Sequence, residues 1–125
     1  MNEHRKHLVG RILADIRSDR KKKVIVDTDA YNEMDDQFSI LYALCSDRME
    51  VIALNAAPFD NDRSDGFEDG MEKSYEELLR LTALLPDGDS FPVFRGSRRS
   101  IESTSHAAPS PAAENIISEA LESNE

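Results

Sequence analysis

Cysteine occurs once, at Cys45, so no disulfide can form within the chain. Its place in an apolar, helically spaced stretch reads as a small buried hydrophobe, not a reactive thiol. Long apolar runs are also missing: none approaches the ~20 residues that span a bilayer. The first residues, MNEHRKHLVGRILADIRSDRKKK, lack the apolar segment of a secretory signal. A cytoplasmic location is the default expectation. Positive charge is scarce, with 15 Lys and Arg against 25 Asp and Glu and a formal net charge of −10. Nucleic acids and anionic membranes require a basic footprint, so neither is expected as a partner. Glycine is sparse and scattered: Gly10, Gly66, Gly70, Gly88 and Gly96 stand alone, which excludes a glycine-rich phosphate loop. No internal repeat is visible.

What remains is enough for one domain, since 125 residues can bury a core. Leu8, Val9, Ile12, Leu13 and Ile16 fall at helical spacing, predicting an amphipathic helix over 3–18. Residues 1–22 are expected to form an N-terminal helical extension, with Arg17–Lys23 as its basic hinge. Residues 23–125 form the domain proper. Val24, Ile25 and Val26 predict a buried strand at 23–27, with a helix from Met34 to Cys45 presenting Phe38, Leu41, Tyr42 and Cys45 on one face. A second strand is expected over Glu50–Leu54 and a Pro/Asp/Gly-rich loop over Asn55–Asp69. A helix over Gly70–Leu85 follows, ended by Pro86, Asp87 and Gly88. FPVF at 91–94 reads as a third strand, Ser103–Pro111 as a flexible stretch, and 112–122 as a last helix. Strands alternating with helices imply an α/β fold: a Rossmann-like, mostly parallel sheet flanked by helices, with Val24–Asp27 as a central strand.

The densest chemistry lies in VDTDAYNEMDDQFSI, where Asp27, Asp29, Asp35 and Asp36 occupy ten positions. The first two end a strand and the second two open a helix, at the edge where α/β sheets bind ligands. Carboxylates converging there repel one another, so either some hold protons or a cation offsets the repulsion. A hard, oxygen-seeking ion such as Ca²⁺ or Mg²⁺ suits this donor set. Asp29, Asp35 and Asp36 are expected to point into one crevice.

The same segment resembles the N-terminal motif of the inosine/uridine-preferring nucleoside hydrolase family, D-x-D-P-G-x-D-D after the first strand. Here the spacer AYNEM is two residues longer than the family's P-G-x. GMEKSYEELLRL, FPVFRGS and SPAAENIISEA resemble later family segments in the right order, so the likeness covers about Lys22–Leu121. The resemblance implies hydrolysis of the N-glycosidic bond of a ribonucleoside with Ca²⁺ in the site. By position it makes Asp29 the general base and a Ca²⁺ ligand, and Asp36 a further Ca²⁺ ligand. Asp35 becomes a ribose-hydroxyl ligand and Asp27 a supporting carboxylate. The family's ribose-binding asparagine after the second strand has two candidates here, Asn55 and Asn61. Family members are longer, and their second half supplies another metal-binding aspartate, a main-chain carbonyl ligand and base-facing residues. This chain is therefore expected to be an incomplete N-terminal part of a nucleoside hydrolase-like domain, weakly active or inactive alone. Its expected partner is a small-molecule nucleoside, and assembly into a homo-oligomer is compatible with the reading.

Plainer readings stand beside these. Asp35 and Asp36 taken alone read as helix-capping carboxylates; Asp27 and Asp29 at the strand end favour the metal site instead. Glu33 reads as a solvated turn residue, and His4, His7 and His106 as surface histidines. Met71 and Tyr75 read as core, Arg95, Arg98 and Arg99 as a solvated loop, and Glu68, Asp69 and Glu72 as a solvated acidic face. Haloacid-dehalogenase-like phosphatases also place D-x-D after a first strand, with the first Asp as nucleophile. Their usual Thr or Val two positions beyond the second Asp is Tyr31 here, and the second Asp pair has no role in that family. A non-catalytic, metal-binding α/β fragment is the remaining alternative.

Overall fold

A computed structural model describes residues 2–101 and 106–122. The elements run α1 (Glu3–Arg17), β1 (Lys22–Thr28), α2 (Met34–Leu44), β2 (Met49–Ala56), α3 (Phe67–Thr82), a short 3₁₀ turn (Gly88–Ser90), β3 (Val93–Arg95) and α4 (Pro111–Glu122). The strands form one parallel sheet in the order β1-β2-β3. The α/β reading with parallel strands and flanking helices therefore holds. The expected central position of Val24–Asp27 does not: β2 is the middle strand and β1 lies at the edge among the described residues. Part of the stretch expected to be flexible, 103–105, lies outside the described residues.

Register explains which side chains share a face. Val26 pairs with Leu54, Asp27 with Asn55 and Thr28 with Ala56, after an irregularity between Val24 and Ile25. Successive strand residues point to opposite sides of the sheet. Val26, Leu54, Ala56 and Val93 thus join Ile40, Met71, Leu78 and Leu81 in one core beneath α2 and α3. Ile25 and Ile52 instead line a groove with Ile116 and Ala120 of α4. The sheet accordingly carries helices on both faces.

Packing corrects several expected faces. On α2 the buried residues are Ile40 and Ala43, whereas Phe38 and Tyr42 are exposed. Cys45 is exposed too, not the buried hydrophobe its neighbours suggested. The apolar side chains of α2 outnumber what a single sheet face can cover, and the branched Ile40 takes the buried position. Met71 lies fully buried as expected, and Tyr75 packs against the same core. The expected loop Asn55–Asp69 is shorter, because β2 runs on through Asn55 to Ala56 and α3 opens at Phe67.

Arg95 is not a solvated loop residue. It sits in β3, donates from Nε to both oxygens of Glu72 at 2.9 Å and stacks 3.7 Å over the Tyr75 ring. The acidic face of α3 is likewise paired, Glu68 with Arg98 and Asp69 with Lys73. Among the described residues no helix is long and apolar enough to cross a membrane.

Candidate active site at the carboxyl ends of the strands

Strand β1 ends at Thr28, so Asp29 leaves the sheet at its carboxyl edge. The chain turns at once: the Asn32 amide donates to the Asp29 carbonyl at 2.7 Å. Asparagine and aspartate favour such turns because their short side chains bond locally. The Asn32 side chain also donates from Nδ2 to Asp29 Oδ2 at 2.8 Å, fixing that carboxylate. Met34 then starts α2, with Asp35 and Asp36 in its first turn, where the helix dipole favours negative charge.

Asp36 and Asp29 meet across this turn. Burial is the main cause that raises the Asp36 carboxyl above the ordinary aspartate range. Hydrogen bonding to Asp29 and the Asp29 charge raise it further, and the Asp35 charge adds to this. The Thr28 hydroxyl acts the other way: it makes no hydrogen bond of good geometry, yet lies near enough to favour the charged form of Asp36. Asp35 itself is exposed. Adjacent helix residues do not face the same way, so Asp35 and Asp36 cannot both turn toward Asp29. Among the described residues no group of three or more His, Cys, Asp or Glu side chains is arranged to hold a metal ion. The expected crevice of three carboxylates is therefore a pair, Asp29 and Asp36, with Asp35 beside it. Two repelling carboxylates with a hydroxyl nearby suit a hard cation as a partial ligand set, since Ca²⁺ takes 6–8 oxygens and accepts water among them.

Asp27 is one step back in β1 and in register with Asn55. Partial burial of its carboxyl raises it above the ordinary range, although the residue as a whole remains exposed. Asn55 is 0 % exposed, and both its Oδ1 and Nδ2 lack a hydrogen-bond partner. A buried polar group without a partner costs about 1–3 kcal/mol. The position expected to open a loop is thus a strand residue with an unspent donor and acceptor.

Asn61 reaches the site by another route. Its Nδ2 donates to Asn32 Oδ1 at 2.7 Å, so Asn61, Asn32 and Asp29 form a continuous chain of hydrogen bonds. The loop that carries Asn61 is stitched to itself. The Arg63 amide donates to Asn61 Oδ1 at 2.9 Å, Ser64 bonds Asn61 and the Phe59 carbonyl, and Lys73 donates to the Arg63 carbonyl at 2.8 Å. The Arg63 guanidinium in turn donates to the Asn32 carbonyl. Tyr31, Glu33, Met34, Gln37 and Arg63 line an open groove of about 550 Å³ beside this chain.

Asn32 and Arg63 are the site residues that sequence reasoning missed. Asn32 lies inside AYNEM, the spacer that is longer than the family's, and an Asx residue in such a turn is the one available signal. Nothing in the sequence near Arg63 announces its contact. The chain matches no protein-family model, no curated protein and no solved structure. The site therefore rests on its own geometry.

Proposed function

We propose that this site belongs to a Ca²⁺-dependent hydrolase that cleaves the N-glycosidic bond of ribonucleosides to free base and ribose. The supporting observation is the Asp29–Asp36 pair at the carboxyl end of a parallel strand, together with the unpartnered buried amide of Asn55, which lies in register with Asp27 on the next strand. Asp29 and Asp36 would hold the ion. When bound, Ca²⁺ lowers the pKa of a ligated water and orients the ribose diol.

Asp29, fixed by Asn32, takes the proton as the water oxygen attacks the anomeric carbon. The glycosidic bond breaks through an oxocarbenium-like state, and its electron pair leaves on the base nitrogen. Asp35, exposed at the helix start, and the Asn55 and Asn61 amides are the ribose ligands. Asp27 supports the site from the register position of Asn55. The leaving base takes its proton from solvent water, because His4 and His7 are on α1 and His106 borders Arg99 and Ile101. Slow turnover by this chain follows.

The test is base release from inosine and uridine by the full chain, with and without Ca²⁺, alongside nucleoside binding by calorimetry. Asp29→Asn should lower base release by ~10²–10⁴-fold, the usual contribution of a positioned base. Asp27→Asn should do far less. Asp35→Asn should weaken binding of the ribonucleoside more than of its 2′-deoxy analogue. Near-normal turnover in Asp29→Asn would exclude this mechanism. A largest loss at Asp27 with a phosphate-ester substrate would favour the phosphatase reading instead.

A further inference from the structure

Charge is divided unevenly along the chain. Residues 1–23 hold eight Lys and Arg against three Asp and Glu, a net of +5, which leaves −15 on the rest. Helix α1 lies in the basic part and has no buried residue. Its apolar stripe, Leu8, Val9, Ile12, Leu13 and Ile16, is 42–61 % exposed. At the pitch of an α-helix, Arg11 borders that stripe on one side and Lys6 and Arg17 on the other.

The stripe does not fold back on its own domain. Asp15 pairs with Arg20 at 2.9 Å and with Lys22 at 3.1 Å, and Arg48 holds Asp19 at 3.1 Å and the Ser18 carbonyl at 2.8 Å. These contacts tie the end of α1 to the start of β1 and to the residue before β2, leaving the stripe bare.

Helix α4 is its counterpart in chemistry. It carries Glu114, Glu119 and Glu122 and no Lys or Arg. Ile117 and Leu121 are 59 % and 80 % exposed. Beside them runs a groove of about 440 Å³ whose lining includes Ile25, Ile52, Ile116 and Ala120, with Glu119 and Glu122 also bordering it. A single cation, Lys23, shares that groove.

We propose that α1 of one copy docks its apolar stripe into the α4 groove of a second copy, and the reverse, giving a two-fold dimer. The apolar residues supply burial, and Arg11 and Arg17 meet Glu119 and Glu122 at the rim. A two-fold pairing uses each surface once on each chain and so closes without further growth. A basic amphipathic helix also suits an anionic membrane surface. Here, however, the other 102 residues carry −15 and are repelled by such a surface, whereas the same charge attracts α1.

The test is sedimentation of the full chain at tens of micromolar, at low and high salt. A dimer is expected, weakened by salt because the rim pairs are solvent-exposed. Arg11→Glu with Arg17→Glu, and separately Glu119→Lys with Glu122→Lys, should each weaken self-association by about tenfold or more. An equimolar mixture of the two variants should recover the dimer, because the reversed charges are complementary again. Circular dichroism checks that each variant keeps its helices. Should a reversal unfold the chain, Ile12→Cys and Ala120→Cys in two separate Cys45→Ser chains provide the second measurement, with an intermolecular disulfide expected on mixing and oxidation. A monomeric native chain overturns the proposal, as does a dimer indifferent to the α4 reversal, or no cross-link. A monomer that binds phosphatidylserine vesicles through α1 overturns it in favour of a membrane role.

Discussion

Asn32 sits between Asp29, the proposed general base, and the second-strand loop, donating to Asp29 and accepting from Asn61. Removing it frees the Asp29 carboxylate to rotate and detaches Asn61 at once. One such hydrogen bond contributes about 0.5–1.5 kcal/mol. Asn32→Ala is therefore expected to lower kcat/KM for nucleoside hydrolysis by roughly tenfold, the size of that loss in rate. Asn32→Asp, which keeps an acceptor but removes the donor to Asp29, should not rescue it. Rescue by Asp would show that the donor is irrelevant. Asp15 offers a pH-dependent test. Arg20 first, then Lys22, holds its carboxyl below the ordinary aspartate range. A carboxyl lowered in the folded state adds stability above its unfolded pKa and loses it as pH falls through the folded value. The contribution is present at neutral pH and fades at the acid end of the carboxylate range. Replacing Asp15 by Asn should flatten that acid limb of the melting curve slightly, since the pair is exposed and solvent screens it.

At the scale of the element, the contact that sets the site loop is Gly70 of α3. A Cβ there would lie 2.0 Å from the Phe59 carbonyl oxygen and 2.9 Å from its backbone nitrogen. The helix can therefore approach the loop only without a side chain at this position. Gly70→Ala should cost about 1–3 kcal/mol, the usual penalty of overpacking. It should also displace the loop carrying Asn61, so nucleoside binding should weaken together with thermal stability. Unchanged stability would mean that the helix and loop are not in contact in solution. Gly66, at φ 100°, starts the same helix in a conformation that other residues adopt only with strain.

For the whole molecule, the proposed cation at the acidic site edge would link ion binding to folding. An ion held by Asp29 and Asp36 in the folded state, and not in the unfolded chain, stabilises by mass action, about 2.7 kcal/mol at a hundred times Kd. Millimolar Ca²⁺ is expected to raise Tm in the native chain, and Asp36→Asn should abolish most of that rise. A Tm indifferent to Ca²⁺ would remove the ion from this site. The partial ligand set predicts weak binding, so the titration must reach millimolar concentration.

Local patterns carried most of the architecture. The β-branched run at Val24–Val26, the helical spacing at Met71, Leu78 and Leu81, and the alternation of strands with helices each follow from backbone propensity and periodicity, which act over a few residues. The pairing of Asp29 with Asp36 was legible for the same reason, since both lie on one strand–turn–helix unit. Three things depended on tertiary structure. Whether Ile40 or Phe38 is buried on α2 is decided by which side chain meets the sheet, not by hydrophobicity. The central strand is β2 because hydrogen-bond order among parallel strands is set by crossover connections, which no segment encodes alone. Asn55 shares a register with Asp27, and Asn61 reaches Asp29 through Asn32, because distant loops return to one edge of the sheet. Sequence determined the elements and their chemistry; only long-range packing decided which of those groups meet.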